Sequence, residues 1–204
     1  MPGVQQFTDM MKLQGIKKST RVVLYDKGTG VYATRIYWML RTYGHENASV
    51  LNGGFKKWTA EGRRVVSSLG FETDSTDGFD YAFNADLYRY FEQVQVLSAN
   101  IVAGTSQEQL SDARPKTSYD AGHIPGAINV FYQTLQNADG TIKTPAEIRS
   151  IALSNGIDLT RPQVVSCGTG ITASWLFASY QHAGSQQTAL YDGSWQEWSD
   201  RTKT

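Results

Sequence analysis

Cys167 is the only cysteine of the chain, and it opens a glycine-rich loop between an apolar strand and an amphipathic helix. The loop reads Cys167-Gly168-Thr169-Gly170-Ile171-Thr172. Glycines at its second and fourth positions allow backbone angles that other residues avoid, so successive N–H groups can turn inward around an anion. The positive end of the following helix also favours a thiolate. The pattern predicts a nucleophilic thiolate that attacks soft sulfur, in a loop that can hold the resulting persulfide.

The cysteine loop belongs to a unit that occurs twice, at Gly15 to Trp58 and at Gly156 to Trp198. Each copy has an apolar strand, a glycine-rich loop, a helix with one apolar stripe, a glycine stop and a second short strand. The matching segments are the strands Val22–Tyr25 and Val164–Ser166, the loops Gly28–Gly30 and Gly168–Gly170, the helical stripes Ala33, Ile36, Tyr37, Leu40 and Ala173, Leu176, Phe177, Tyr180, the stops Gly44 and Gly184, and the strands Val50–Leu51 and Leu190–Tyr191. In the first copy, Asp26 stands in the place of Cys167.

A strand that returns through a helix to another strand is a βαβ crossover, so two such units predict an α/β fold with parallel sheets flanked by helices. We expect a non-catalytic half-domain at residues 1–66, a polar linker at 67–80 and a complete catalytic domain at 81–204. The first copy has no counterpart of the segment from Phe79 to Ile142. The first domain is therefore expected to lack its N-terminal half, to leave a sheet edge uncovered and to favour self-association or pairing with the missing half.

Within the second domain, local patterns predict three further elements. These are a helix around Leu87 to Leu97, a strand near Gln109 to Asp112 and a helix from Pro145 to Ser154. Thr144 is expected to cap the last of these helices, with proline at its first position.

The composition excludes several functional classes. Of the 204 residues, 40% are hydrophobic, and the 19 basic residues balance the 19 acidic ones, so we expect no nucleic-acid partner. Apolar runs such as Ile36 to Leu40 are far shorter than the roughly 20 residues of a membrane span. The segment Met1 to Leu13 lacks the pattern of a secretory signal. We expect a cytoplasmic protein, with the periplasm and the mitochondrion as open alternatives.

Four stretches together resemble the sulfurtransferases of the rhodanese superfamily. They are Cys167–Ala173, Asp112–Pro115, Gly122–Asn129 and Tyr191–Trp195, the last of which reads Tyr-Asp-Gly-Ser-Trp. The loop with its neutral second and third residues is most similar to the 3-mercaptopyruvate subgroup, whereas the thiosulfate subgroup usually has basic residues there. Such enzymes are often tandem rhodanese-like domains in which only the second carries the cysteine.

The resemblance implies that a sulfane sulfur moves from a small donor, 3-mercaptopyruvate or thiosulfate, through a Cys167 persulfide to a thiol or cyanide-like acceptor. It implies a role for Thr169 in proton handling at the loop. The subgroup takes its substrate-binding arginines from an insertion that the short stretch Pro115–Ala121 lacks. Arg114 and Lys116 are the remaining candidates for binding the carboxylate of the donor. No cofactor and no metal is indicated.

Three other interpretations of the cysteine are weaker. A phosphatase loop needs an arginine six positions after the cysteine, and Ala173 stands there. A cysteine hydrolase needs a histidine beside the thiol, whereas His45 and His182 follow the repeat helices and His123 lies in a Gly-His-Ile-Pro turn. The third interpretation is not an enzyme but a rhodanese-like interaction module with weak or no activity.

Overall fold

The computed structural model describes residues 1–67, 79 and 81–203. Apart from residues 67 and 79, the predicted linker at 67–80 lies outside the described residues. Within the described part of the chain, no helix is long and apolar enough to span a bilayer.

The first unit is a short parallel sheet with three helices. Its elements are α1 (Val4–Leu13), β1 (Val22–Leu24), α2 (Val31–Thr42), β2 (Ala48–Val50) and α3 (Gly54–Ala60). The two strands pair in parallel, with Val22 opposite Ala48. Among the described residues these strands pair only with each other.

The second unit is built on a five-stranded parallel sheet in the order β3-β7-β6-β4-β5. Its elements are β3 (Tyr88–Arg89), α4 (Phe91–Val102), β4 (Gln109–Asp112), α5 (Lys116–Asp120), β5 (Ile128–Asn129), α6 (Pro145–Ser154), β6 (Gln163–Ser166), α7 (Ala173–His182), β7 (Thr188–Tyr191) and α8 (Ser194–Thr202). Every residue of the three central strands is buried, as expected for a parallel sheet with helices on both faces. The predicted α/β fold is confirmed.

The local predictions succeed where the signals are strongest. The strand Gln109–Asp112 and the helix Pro145–Ser154 are confirmed at both ends. Thr144 caps that helix through a reciprocal pair of hydrogen bonds with Glu147. The glycine stops are also confirmed, since Gly44 and Gly184 have φ angles of 86° and 96°.

The helix predicted around Leu87 to Leu97 begins later, at Phe91. The Asn84 side chain accepts a hydrogen bond from the N–H of Asp86 and starts a 3₁₀ turn over Ala85–Leu87, and the strand β3 follows that turn. The side chain of Gln93 then accepts from the N–H of Tyr90, which fixes the start of the helix. The helices α3 and α8 were not predicted, because seven and nine residues carry too little periodicity.

The two units share one hydrophobic cluster, which contains Trp38 and Leu40 from α2 together with Leu176 and Phe177 from α7. The helices α2 and α7 pack against each other, and the hydroxyl oxygens of Thr34 and Ser174 lie 3.1 Å apart between them. Because a common core spans both units, their division into domains at 1–66 and 81–204 stays a prediction.

Candidate active site around Cys167

Cys167 follows the central strand β6 directly, at the carboxyl end of the parallel sheet. Ligand sites commonly form at this end of an α/β sheet where the connections from two adjacent strands run in opposite directions, as those from β4 and β6 do. The strand itself is held on both sides by β4 and β7. The side chain of Cys167 is 2% exposed, so its sulfur lies inside the loop and below the surface.

Two groups face the sulfur atom. The N–H of Gly170 donates to Cys167 Sγ over 3.1 Å, and Ser194 Oγ lies 4.0 Å from the same atom. Ser194 Oγ also accepts from the N–H of Cys167 over 3.0 Å and lies 2.9 Å from Tyr191 O. The hydroxyl therefore connects the cysteine to the end of β7. Ser194 was not predicted as a site residue, although it lies in the Tyr-Asp-Gly-Ser-Trp stretch.

Ser194 has the only positive φ of a non-glycine residue in the described chain, at 51°. A residue other than glycine is conformationally strained in this region, and strained residues of this kind concentrate at functional sites. The adjacent N–H groups of Trp195 and Gln196 donate to the carbonyls of Cys167 and Gly168 over 2.9 and 3.0 Å. The start of α8 is thus hydrogen-bonded to the start of the cysteine loop.

The two glycines of the cysteine loop, Gly168 and Gly170, differ in backbone conformation and in the space around them. Gly170 has a φ of 80°, and a Cβ there would lie 2.7 Å from Asp192 O. Gly168 has no such φ, and a Cβ there would meet only Arg114 Cδ, at 3.9 Å. The expectation that both glycines are needed for the loop conformation holds at Gly170 and is wrong for Gly168. Among the described residues, the N–H of Gly170 is the one backbone N–H that donates to the sulfur, whereas several inward-facing N–H groups were expected.

The corresponding loop of the first unit holds a carboxylate. Asp26 Oδ1 accepts from the N–H groups of Gly28 and Gly30 over 2.9 and 3.0 Å. Its Oδ2 accepts from those of Tyr32 and Ala33 over 3.1 and 3.2 Å. Four amides around one side chain show that this loop type binds an anion from its own backbone.

A half-buried charge cluster lies beside the Cys167 loop. Arg35 of α2 forms an ion pair with Asp192, with Nη2 2.5 Å from Oδ1, and its Nη1 donates to Gly170 O over 3.3 Å. The amino group of Met1 forms a second ion pair with Asp192. Burial raises the pKa of the Tyr191 phenol, so the residue before Asp192 stays uncharged. Arg35 and Asp192 were not predicted as site residues.

The two predicted substrate-binding residues, Arg114 and Lys116, lie in different environments. Arg114 is buried, and its Nε and Nη2 donate to the Asp112 carboxylate and to Gly122 O. Its guanidinium lies over the ring of Trp195, at 5.2 Å from the centroid. This arginine therefore supports the loop from below. Lys116 is 69% exposed and forms an ion pair with Asp120 at the surface.

The remaining loop residues lie at the outer edge of the site. Thr169 is exposed to solvent, while Ile171 and Thr172 are half-buried. Ile171 O accepts from the hydroxyl of Ser174, which joins the end of the loop to the first turn of α7. Thr169 is thus the exposed side chain of the loop.

The histidines do not activate the thiol. His123 Nδ1 lies 3.0 Å from Tyr119 O, and its ring stacks on that of Tyr119 at 3.8 Å. His182 ends α7, and His45 follows α2, so both lie away from the helix ends that face the loops. None of them hydrogen-bonds Cys167, and the described residues contain no group of side chains suited to hold a metal ion.

Comparisons with known proteins agree with this geometry. The rhodanese-like domain family matches residues 2–61 and 93–201. Thiosulfate sulfurtransferase of Rattus norvegicus is 34% identical over 207 residues, which are 97% of this chain and 69% of that protein. For 3-mercaptopyruvate sulfurtransferase of Homo sapiens the identity is 30%, over 100% of this chain and 70% of that protein.

Among solved structures, SseA from Escherichia coli, described as a 3-mercaptopyruvate sulfotransferase, superposes with a TM-score of 0.85 at 30% identity. The match covers 96% of this chain and 74% of SseA. The family match covers most of the sequence, and the relatives align over nearly all of it. The chain therefore belongs to the rhodanese-like domain family and is a sulfurtransferase.

Proposed function

We propose that Cys167 carries the transferred sulfur as a persulfide. The thiolate attacks the thiol sulfur of 3-mercaptopyruvate or the outer sulfur of thiosulfate, and an S–S bond forms on Sγ. The C–S bond of 3-mercaptopyruvate or the S–S bond of thiosulfate breaks, and the pyruvate enolate or sulfite leaves with its electron pair. An acceptor thiolate or cyanide then attacks the outer sulfur and releases the Cys167 thiolate. The observation that carries this proposal is the Gly170 N–H directed at Sγ, because it favours the anionic form of the sulfur at the start and end of the cycle.

The Asp26 loop supports the persulfide step. Cγ of aspartate and Sγ of cysteine are both bonded to Cβ. The carboxylate oxygens of Asp26 therefore occupy positions comparable to that of the outer sulfur in a cysteine persulfide. Four backbone N–H groups surround those oxygens in the first unit. The cysteine loop is built on a similar glycine pattern and ends in the same way at a helix. An outer sulfur carrying negative charge would therefore find amide donors of the same kind.

For the donor we favour 3-mercaptopyruvate over thiosulfate. The loop from Cys167 to Thr172 contains no cation, whereas thiosulfate is a dianion that needs fixed positive charge beside its outer sulfur. Pyruvate leaves as an enolate, which a hydroxyl can protonate or hydrogen-bond, and Thr169 is the exposed hydroxyl of the loop. Weak donor binding is expected, because Arg114 is engaged with Asp112 and Lys116 offers only a point charge at the surface.

The donor proposal predicts how two substitutions divide between turnover and binding. Thr169→Val should lower kcat with 3-mercaptopyruvate by about 100-fold, the lower range for a positioned proton-transfer group, while Thr169→Ser keeps most of it. Lys116→Ala should mainly raise KM. Pyruvate release measured against donor concentration separates the two effects. A higher kcat/KM for thiosulfate, or unchanged turnover in Thr169→Val, contradicts the donor proposal and leaves sulfur transfer itself intact.

We also propose self-association through the first sheet. Among the described residues, β1 and β2 have no partner strand beyond each other, and Val23 and Tyr25 are 50% and 59% exposed. Open strand edges next to apolar side chains favour pairing between chains. Sedimentation equilibrium should show an apparent mass that rises with protein concentration. The Val23→Lys substitution should lower that apparent mass. A concentration-independent monomer mass, with hydrogen exchange at Val22–Leu24 as slow as at Val164 and Val165, contradicts this proposal.

A further inference from the structure

Arg35 joins the unit without a cysteine to the loop that carries Cys167. Its side chain is 15% exposed and extends from α2 to two atoms beside the loop. One is Gly170 O, to which Nη1 donates over 3.3 Å, and the other is Asp192 Oδ1, 2.5 Å from Nη2. The guanidinium also lies over the ring of Trp38, at 4.7 Å from its centroid. The side chain is therefore held from three sides.

The equivalent position in the other unit shows that this contact is specific to the cysteine loop. Counted from the matched alanines Ala33 and Ala173, the counterpart of Arg35 is Trp175. Trp175 reaches the other loop in the same manner, since a Cβ on Gly30 would overlap its Cζ3. Each helix thus contacts the last glycine of the opposite loop. In this pair of contacts the thiol loop receives a cation and the Asp26 loop receives a tryptophan.

Gly170 is the residue through which this contact reaches the sulfur. Its N–H donates to Cys167 Sγ, and its carbonyl accepts from Arg35. The two groups belong to the peptides on either side of one glycine Cα, and glycine places little restriction of its own on the angle between them. Because the glycine does not fix this angle itself, the orientation of the N–H depends on outside contacts such as the one that holds the carbonyl.

We propose that Arg35 is a positioning residue for the thiolate of Cys167. It fixes Gly170 so that the N–H of that residue is directed at Sγ, and it places a positive charge between the loop and the Asp192 carboxylate. The inference rests on the proposed function only in taking the thiolate as the reactive form of Cys167. Arg35 touches no reacting atom, so its effect must pass through Gly170 and Asp192.

The other charges around the loop are balanced without Arg35. The amino group of Met1 pairs with the second oxygen of Asp192, and Arg114 pairs with Asp112 under Gly168. On α8, Glu197 packs against Gly193 and forms an ion pair with Arg201. Loss of the Arg35 guanidinium therefore removes one positive charge beside the thiol, which disfavours the thiolate.

The test is the rate at which a neutral reagent such as iodoacetamide alkylates Cys167 across a range of pH. The chain contains no other thiol, so the mass gain of the intact protein reports this site alone. Arg35→Ala should move the midpoint of the alkylation profile to higher pH and slow alkylation at neutral pH by about tenfold, equivalent to one pH unit. Arg35→Lys should shift the profile less, because it keeps the positive charge. Some shift should remain, because a lysine ammonium cannot contact Gly170 O and Asp192 Oδ1 with the two-pronged geometry of a guanidinium.

Arg41→Ala is the matched control. Arg41 lies on the same helix and donates to Glu46 O, at the end of α2 away from the loop. Its removal should leave the alkylation profile unchanged. Arg35→Ala combined with Asp192→Asn should recover part of the lost rate, because the second substitution removes a negative charge that offsets the lost positive one.

An Arg35→Ala protein that loses thermal stability but keeps the wild-type alkylation profile overturns the proposal, because the arginine is then only a packing residue. If Arg35→Ala does not fold, Arg35→Lys decides, and a wild-type profile in that variant also overturns it. Alkylation does not depend on any donor. A shifted profile in a protein that transfers no sulfur would therefore refute the proposed function and leave the role of Arg35 standing.

Discussion

Cys167→Ser is expected to reduce sulfur transfer to the level of the reaction without enzyme. The chain has no second thiol, and a serine hydroxyl neither ionises at neutral pH nor attacks sulfane sulfur. The fold should survive, because serine is similar in size and its hydroxyl would lie near Gly170 N and Ser194 Oγ. The free energy of unfolding should change by about 1 kcal/mol, as for one exchanged buried polar contact.

Two measurements check this expectation. Intact mass spectrometry after exposure to 3-mercaptopyruvate or thiosulfate should show the gain of one sulfur atom on the wild-type chain and none on Cys167→Ser. Thiocyanate formed from cyanide should follow the same pattern. Ser154→Ala is a suitable control, since that serine lies at the end of α6 and donates to Ile151 O of the same helix. Residual turnover by Cys167→Ser above the reaction without enzyme contradicts the persulfide proposal.

The parts of this structure that can be predicted from the sequence are those determined by residues close together in the chain. The helix Pro145–Ser154 is marked by a threonine cap, a proline and a glutamate three residues after the cap, and these residues act on the nearest turn alone. The strand β4 and the loop that begins at Cys167 are bounded by similarly local signals. The nucleophile and the strand–loop–helix setting around it were therefore predictable from the sequence.

The residues that surround the sulfur come from distant parts of the chain. Arg35 reaches Gly170 across 135 positions, and Ser194 reaches Cys167 across 27. Such contacts depend on how α2 and α7 pack and on how α8 starts, and neither is encoded in a short pattern. The same reason explains the error at Gly168, because a glycine in a motif does not show which backbone angle it adopts.

Gly170→Ala is expected to have the second-largest effect on activity. The φ of 80° disfavours any residue with a Cβ, and the added carbon would lie 2.7 Å from Asp192 O and 2.9 Å from Arg35 Nη1. A backbone oxygen cannot rotate away, so the loop itself must shift and carry the Gly170 N–H off the sulfur. A displacement of this kind should lower kcat by about 100-fold, and the strained residue should cost about 1–3 kcal/mol of stability.

Gly168→Ala separates loop geometry from the mere loss of a glycine. At that position a Cβ has ordinary φ and one distant neighbour, Arg114 Cδ at 3.9 Å, so activity and stability should stay near those of the wild type. The two variants add the same methyl group two residues apart, and their ratio of kcat values measures the requirement at Gly170 directly. Alkylation of Cys167 should slow at neutral pH in Gly170→Ala alone. Equal loss of activity in both variants would contradict this account, because the structure gives the methyl group at Gly168 nothing to displace.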